Sequence, residues 1–574
     1  MAQSVHYEVF VRQGGRVDWS LIEVRNDRES ALEFAQALMT EKRATAVKVV
    51  KETYYDDTGD FLSLKIFEDG HNQIQMKTAP AEEEVPHTLP CSKPDDLYSL
   101  QARSTIARLI SDFLARNRIT VTELGHRADL LEKLEATGTL LQHAIQKIAV
   151  AQASSLGAPV AQIVKGLNEL VERTIHRVYR DARKGLFPTA SKGGFGKLAA
   201  RLAGQGEGAY LLNGALAQYL KDAAKWDDKI ARLIALMPEA DQGAGGTLLL
   251  GAIDNLLAEI LAGSTALQEL IGPKENLGQA LMALVCLFLG ELETDASGLR
   301  GLNGRFAAGE LPEARVAVAN RILAECRSPR RLCPDALDEE FRTLRLIANK
   351  LVTGIGKYLS QEDLVSAFTL RSRRLVTHET IGQHLAKAAA PDDRLERLLF
   401  VEENIIGVEN KQQLATFVTP VVLAPAFETY FLHSGSPLQR MQRLAQLQTR
   451  VLRSAFPDTA KREIADVLDK IASDVEIRHG VFDAVDAKAA TVVERVQTLL
   501  SLALGGLLTE GRVFARAKQR VIRYLSQPGF LSGYIAQTAG SGEPARADVA
   551  MAELLKTLAK AGITAEQGLK SIAA

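Results

Sequence analysis

Apolar residues are spaced in two different ways along this chain. Over residues 6–70 they fall in short runs rich in β-branched and aromatic side chains, His6–Val11, Val17–Val24, Ala46–Tyr54 and Phe61–Phe67. Such runs predict strands. Arg12-Gln13-Gly14-Gly15-Arg16 between the first two supplies a hairpin turn, and Asp56-Asp57-Thr58-Gly59-Asp60 joins the last two. Between the pairs, Leu32, Ala35 and Leu38 recur at helical spacing. They predict a helix over Ala31–Met39, capped by Ser30 with Glu33 reaching back to the Ser30 amide. The order is ββαββ. One helix covers one face of such a sheet. The other face carries Phe10, Ile22 and Val24 and is expected to dock on something.

From Asp96 onward the spacing changes to three and four, as in Ile163, Leu167, Leu170, Val171, Ile175 and Val178. That is the stripe of an amphipathic helix. Between the two regimes, residues 71–96 hold Pro80, Pro86, Pro90, Pro94 and the run Glu82-Glu83-Glu84, a composition that favours an extended spacer. Glycine and proline break the helical part at 189–209, 238–246, 301–312 and 424–437. The fold class read from this pattern is mainly α, an irregular multi-helical bundle or array with a small N-terminal α+β domain. The domains are 1–70, a linker at 71–96, a helical bundle at 97–187, a Gly-rich connection at 188–209, a helical region at 210–310 and a C-terminal helical domain at 311–574. No self-similar pattern of about 30–50 residues appears, which disfavours a regular solenoid.

Composition alters this picture little. The 574 residues are 46% hydrophobic and 24% charged, values of a globular chain rather than a disordered one. With 69 basic and 70 acidic residues the net charge is −1, which argues against a chain built wholly around nucleic acid. The stretch MAQSVHYEVFVRQGG reads as a strand and not as a signal peptide. The longest apolar run, Leu277–Leu289, is shorter than the roughly 20 residues of a spanning helix and reads as a buried helix, so no membrane span is expected. Cys91, Cys286, Cys326 and Cys333 form no CxxC and read as cytosolic thiols. A cytoplasmic location is expected.

Several catalytic motifs are approached and missed. Gly196-Lys197 resembles the end of a phosphate loop, but Ser191 and Leu198 stand where glycine and a hydroxyl are needed. Gly356-Lys357 fails in the same way, with Leu351 and Tyr358. His378-Glu379 opens like a zinc helix, yet Gly382 replaces the second histidine, and His384 lies about 240° further round. Glu-x-x-His occurs at 68/71, 84/87, 123/126 and 476/479, against roughly 0.7 expected by chance. Gly70 interrupts the first pair and Pro86 the second. The other two lie some 350 residues apart without companion glutamates, so a di-metal bundle site is not supported. His143, one turn from Lys147, matches no phosphotransfer motif, and no GxSxG elbow is present. The sequence assigns no catalytic residue, no metal and no cofactor.

Charge patterning carries the functional reading. Residues 164–201 hold nine Lys or Arg against three acids. Within them Arg173, Arg177, Arg180 and Lys184 recur at four, three and four, on one face of a helix. Arg512, Arg516, Lys518, Arg520 and Arg523 form a second basic row, and Arg440, Arg443, Arg450 and Arg453 a third. Residues 391–410 are an acidic counterweight with six acids and two bases. Such rows are solvated faces, or acidic and basic helices paired within the fold, or sites for an anionic partner. The candidate binding residues are Arg173, Arg177, Arg180, Lys184, Arg512, Arg516, Arg520 and Arg523. The reading is a non-enzymatic interaction or signalling scaffold with protein partners. The alternatives are a protein that binds nucleic acid, a nucleotide or another phosphate ligand through these Arg helices, and an enzyme with a dispersed site, metal-dependent or not.

Overall fold

The computed structural model describes residues 4–12, 19–41, 43–44, 46–55, 60–70, 90–240, 243–539, 544–564 and 567. The chain divides into two units, Met1–Pro86 and His87–Ala574. Residues 13–18, 56–59 and 71–89, with the two turns and most of the linker, lie outside the described residues.

In the first unit, β1 (Ser4–Arg12), β2 (Ser20–Arg25), β3 (Ala46–Tyr55) and β4 (Asp60–Gly70) form one antiparallel sheet in the order β2-β1-β3-β4. The Arg28–Thr40 helix buries Ala31, Ala35 and Leu38 against Val9, Val11, Val47 and Val49. It begins three residues earlier than the Ser30 cap predicts. Asp27 is the cap, and its carboxylate accepts the Ser30 amide at 2.8 Å. Asp caps as well as Ser does, so the earlier site adds a turn without losing a cap. On the open face Ile22 and Val24 are about half exposed, as the strand pattern implies, while Lys48 lies 4.6 Å over the Phe10 ring.

The second unit is helical throughout the described residues, from Leu100 to Lys560, so the molecule is mainly α with a small N-terminal α+β region. A small core joins residues between Ile110 and Val178, and a large one runs from Phe195 to Ile563 without a break at 310. The Gly-rich 189–209 segment is not all connection: Phe195–Leu202 is a helix with Phe195, Leu198, Ala199 and Leu202 buried. Its apolar spacing outweighs the flanking glycines. The segment read as a linker also contributes structure, since Pro94–Tyr98 is a 3-10 turn held by Asp96, which accepts the amides of Ser92 and Lys93. Leu277–Leu289 is a buried helix, with Leu281, Val285, Leu287 and Phe288 at 0–1% exposure.

Among the described residues, the Ala244–Ala262 helix alone is long and apolar enough by itself to cross a membrane. Its Leu249, Ile253, Leu256, Leu257, Ile260 and Leu261 fill the large core. Its two carboxylates make tertiary bonds. Asp254 accepts the amides of Glu313 and Ala314, and Glu259 meets Arg103 and Thr122.

Candidate functional site

The Val160–Arg183 helix sets out the basic row. Leu170, Ile175 and Val178 are buried, and the helix ends at Arg183 with Lys184 as its cap. At about 100° per residue, Arg173, Arg180 and Lys184 fall on the side away from that stripe, and all three are exposed. Arg177 lies about 20° from Leu170 on the same projection, and its side chain is only 13% exposed. It bonds Asp95 at 2.6 Å and Glu207 at 2.8 Å, approaches Asp181 at 3.7 Å, and lies 4.1 Å over the Tyr210 ring. Of the four residues expected to project together, Arg177 instead ties three segments to one another.

Beneath Arg177 is a box of rings. Tyr98, Phe187 and Tyr210 surround His126 with centroid distances of 5.1, 5.9 and 4.9 Å. Gly214 makes room for it, because a Cβ there would stand 2.1 Å from the Phe187 ring. His126 Nδ1 donates to the Thr122 carbonyl oxygen at 2.6 Å, so the imidazole is the Nδ1–H tautomer. Its Nε2 is buried with no hydrogen-bond partner among the described residues. Burial pushes the His126 pKa down to about 4, with Arg103 and Arg177 acting in the same direction. Burial likewise pushes the Tyr98 and Tyr210 hydroxyls up. All these groups are neutral near pH 7.

Outside the box lies a cationic surface. Arg173, Arg183, Lys184, Lys192, Lys197 and Arg201 are exposed. None of the six belongs to the ion pairs formed among the described residues. Arg180, 58% exposed at its side chain, bonds the neighbouring Asp181 at 2.9 Å. The other basic rows behave differently. In the Arg512–Leu525 helix, Arg516 meets Glu476 at 3.1 Å, and Arg520 bridges Asp483 and Asp486 at 2.6 and 2.7 Å. Arg512 is exposed, and Arg523 is exposed against the Tyr524 ring. In the Pro437–Arg453 helix, Arg443 pairs with Asp392 and Glu396, and Arg450 with Glu396 and Glu403. The acidic 391–410 segment is thus the intramolecular partner of Arg443 and Arg450 in the third basic row, whereas Arg440 is buried and donates to the Phe431 carbonyl oxygen.

The motif fragments serve the fold. The amides of Gly193, Phe195 and Gly196, where a phosphate loop would hold its anion, donate to the Glu239 carboxylate at 2.6, 2.8 and 3.3 Å. Glu123 forms a buried ion pair with Lys229 at 2.6 Å, while His126 faces the rings. Glu476 turns to Arg516, and His479 to the Leu432 carbonyl. His143 and His378 are exposed, and His384 is buried between Asp338 and the Arg397 carbonyl. Among the described residues no group of three His, Cys, Asp or Glu side chains is placed to hold a metal.

The aromatic box escapes sequence reasoning because its four rings lie at 98, 126, 187 and 210. Only the adjacency of Tyr210 to Gly214 on one helix hints at a close neighbour. No protein-family model matches this chain, and neither curated proteins nor solved structures provide a match.

Proposed function

We propose that this chain is a non-enzymatic interaction scaffold that docks an acidic protein surface on the cationic face of residues 173–201. One observation carries this reading. Six exposed cations there, Arg173, Arg183, Lys184, Lys192, Lys197 and Arg201, are outside every ion pair among the described residues. By contrast, Arg443, Arg450, Arg516 and Arg520 are matched internally. Neighbouring like charges cost a few tenths of a kcal/mol each, and an anionic partner relieves that cost. The rings interleaved with the cations favour a protein over single-stranded nucleic acid. Phe187 and Tyr210 are buried and Tyr179 bonds Glu135, so they offer no platform for stacked bases.

The test is the triple variant Arg173→Glu, Lys184→Glu, Lys197→Glu, compared with the unaltered protein in pull-downs read by mass spectrometry and in titrations with generic RNA. The expected outcome is loss of acidic protein partners with an unchanged thermal midpoint. Tight RNA binding by the unaltered protein, with log affinity falling against log salt at a slope of roughly −4 for six phosphate contacts, would replace this reading with the nucleic-acid one.

A further inference from the structure

Residues 90–99 cross the helical unit as a strap with two unlike fixed points. Tyr98 is the anchor. Its ring lies in the aromatic box and its hydroxyl donates to the Gly125 carbonyl oxygen at 3.1 Å. Ser99 then caps the Leu100–Leu109 helix by accepting the Ala102 amide. Asp95 is the latch. Among the described residues, the ion pair between this stretch and the rest of the unit is Asp95–Arg177 at 2.6 Å, and the Asp95 side chain is 76% exposed. Asp96 turns back on the strap itself, accepting the amides of Ser92 and Lys93. Cys91 and Leu97 border a cavity shared with Ile106, Ile148 and Leu167.

The latch sits within the cationic face. Arg177 is one turn from Arg173 on the Val160–Arg183 helix, and it bonds Glu207, six positions after Arg201. Three carboxylates surround its guanidinium, those of Asp95, Glu207 and Asp181. Glu207 and Asp181 remain when Asp95 leaves, so Arg177 is never stranded without a counter-ion. A pair with one exposed member is weakly held, and the exposure of Asp95 makes its place on Arg177 reachable from solvent. A carboxylate of a docked acidic surface is chemically the same ligand. We propose that Asp95 is an internal stand-in for the acidic partner: a docked carboxylate takes its place on Arg177, and residues 90–97 swing away about Tyr98. The proposal rests on the docking reading above and adds its regulation, since strap and partner compete for one guanidinium. By linkage each weakens the hold of the other by the same factor.

Cys91 reports the position of the strap. Burial pushes its thiol pKa up, and Asp96 acts in the same direction. The thiolate is the reactive form, so opening speeds alkylation. The experiment follows iodoacetamide labelling of the full chain by peptide mass spectrometry, with Cys286, half-buried in the Leu277–Leu289 helix, as internal control. Poly-L-glutamate is the acidic probe, and its binding is read by anisotropy of the labelled polymer. Saturating polymer is expected to speed Cys91 labelling about fivefold or more, with Cys286 unchanged. Asp95→Ala is expected to speed Cys91 labelling roughly two- to fivefold without the polymer, and to tighten polymer binding by the same factor. Asp95→Glu is expected to behave as the unaltered protein. Polymer that binds without speeding Cys91 overturns the competition and leaves the docking reading standing. No polymer binding removes both. An unchanged Cys91 rate in Asp95→Ala shows that Asp95 is not the latch, and equal acceleration of Cys91 and Cys286 marks general unfolding and overturns the proposal as well.

Discussion

At the residue scale, two buried groups show how much depends on partners far along the chain. Arg371, 3% exposed, donates to the carbonyl oxygens of Glu325, Cys326, Ser328 and Arg330, closing the end of the Pro312–Arg327 helix. Its nearest carboxylate, Glu340, is 3.8 Å away and accepts the Cys333 amide. His126 is the opposite case, a buried base kept neutral. Below pH 6.5 the imidazole of the unfolded chain takes up a proton that the folded one refuses until about pH 4. The unfolded state then binds more protons, so stability falls as pH falls through that window. The loss amounts to roughly 3 kcal/mol by pH 4. Denaturant unfolding at pH 7, 5.5 and 4 checks this, with His126→Phe as the comparison. The variant is expected to lack that part of the pH dependence, and equal slopes for the two proteins would show that His126 does not report it.

At the element scale, helix ends are closed by other helices. Among the helices that begin without a side-chain cap of their own, four are closed from elsewhere in the chain: Phe195–Leu202 after Gly194, Ser297–Ala307 after Ala296, Pro312–Arg327 after Leu311 and Arg512–Leu525 after Gly511. In each case a carboxylate from elsewhere accepts the free amides. Glu239 serves the first, Asp227 the second at 2.8–3.1 Å, Asp254 the third at 2.9 Å and Asp469 the fourth. Each anion also meets the positive end of a helix dipole. Asp469 further accepts the buried Thr509 hydroxyl at 2.7 Å. Asp469→Ala leaves two amides and a hydroxyl without partners in a buried place, and the expected loss is about 2–4 kcal/mol by denaturant unfolding. A change below about 0.5 kcal/mol, the level of ordinary surface substitutions, would show that the cap carries little.

At the scale of the whole molecule, the large core places Leu281 at 1% exposure in the middle of Leu277–Leu289. Leu281→Asp buries an unpaired carboxylate at a cost of several kcal/mol, comparable with the stability of a domain. The variant is expected to unfold or aggregate, read as loss of the cooperative thermal transition. The division at Pro86 predicts where a protease acts first. Asp95 and Tyr98 are held by Arg177 and by the Gly125 carbonyl, so the first cut in limited proteolysis is expected before Pro94, within the Pro-rich acidic stretch. A first cut inside 100–187 would show that the small helical core opens more readily than the boundary.

Residue spacing alone is enough to read the division into an early β-rich part and a long helical part, the ββαββ order, the buried apolar helix and the failure of each phosphate-loop and zinc-helix fragment. These are local properties. A period of two or 3.6, a turn composition or a motif spacing is complete within some twenty residues. It also marked the basic and acidic rows, and left open whether they meet within the fold. Packing between distant segments settles it. Arg443 and Arg450 reach the 391–410 segment, and Arg516 and Arg520 reach residues 476–486, while Arg173, Arg183, Lys184, Lys192, Lys197 and Arg201 stay exposed. It alone decided that Arg177 turns to Asp95 and Glu207, that four helix ends are capped from afar, and that three rings close on His126. The physical reason is common to all of these. A charge or ring finds its partner through packing that brings together residues tens to a hundred positions apart, and no local period records which residues those are.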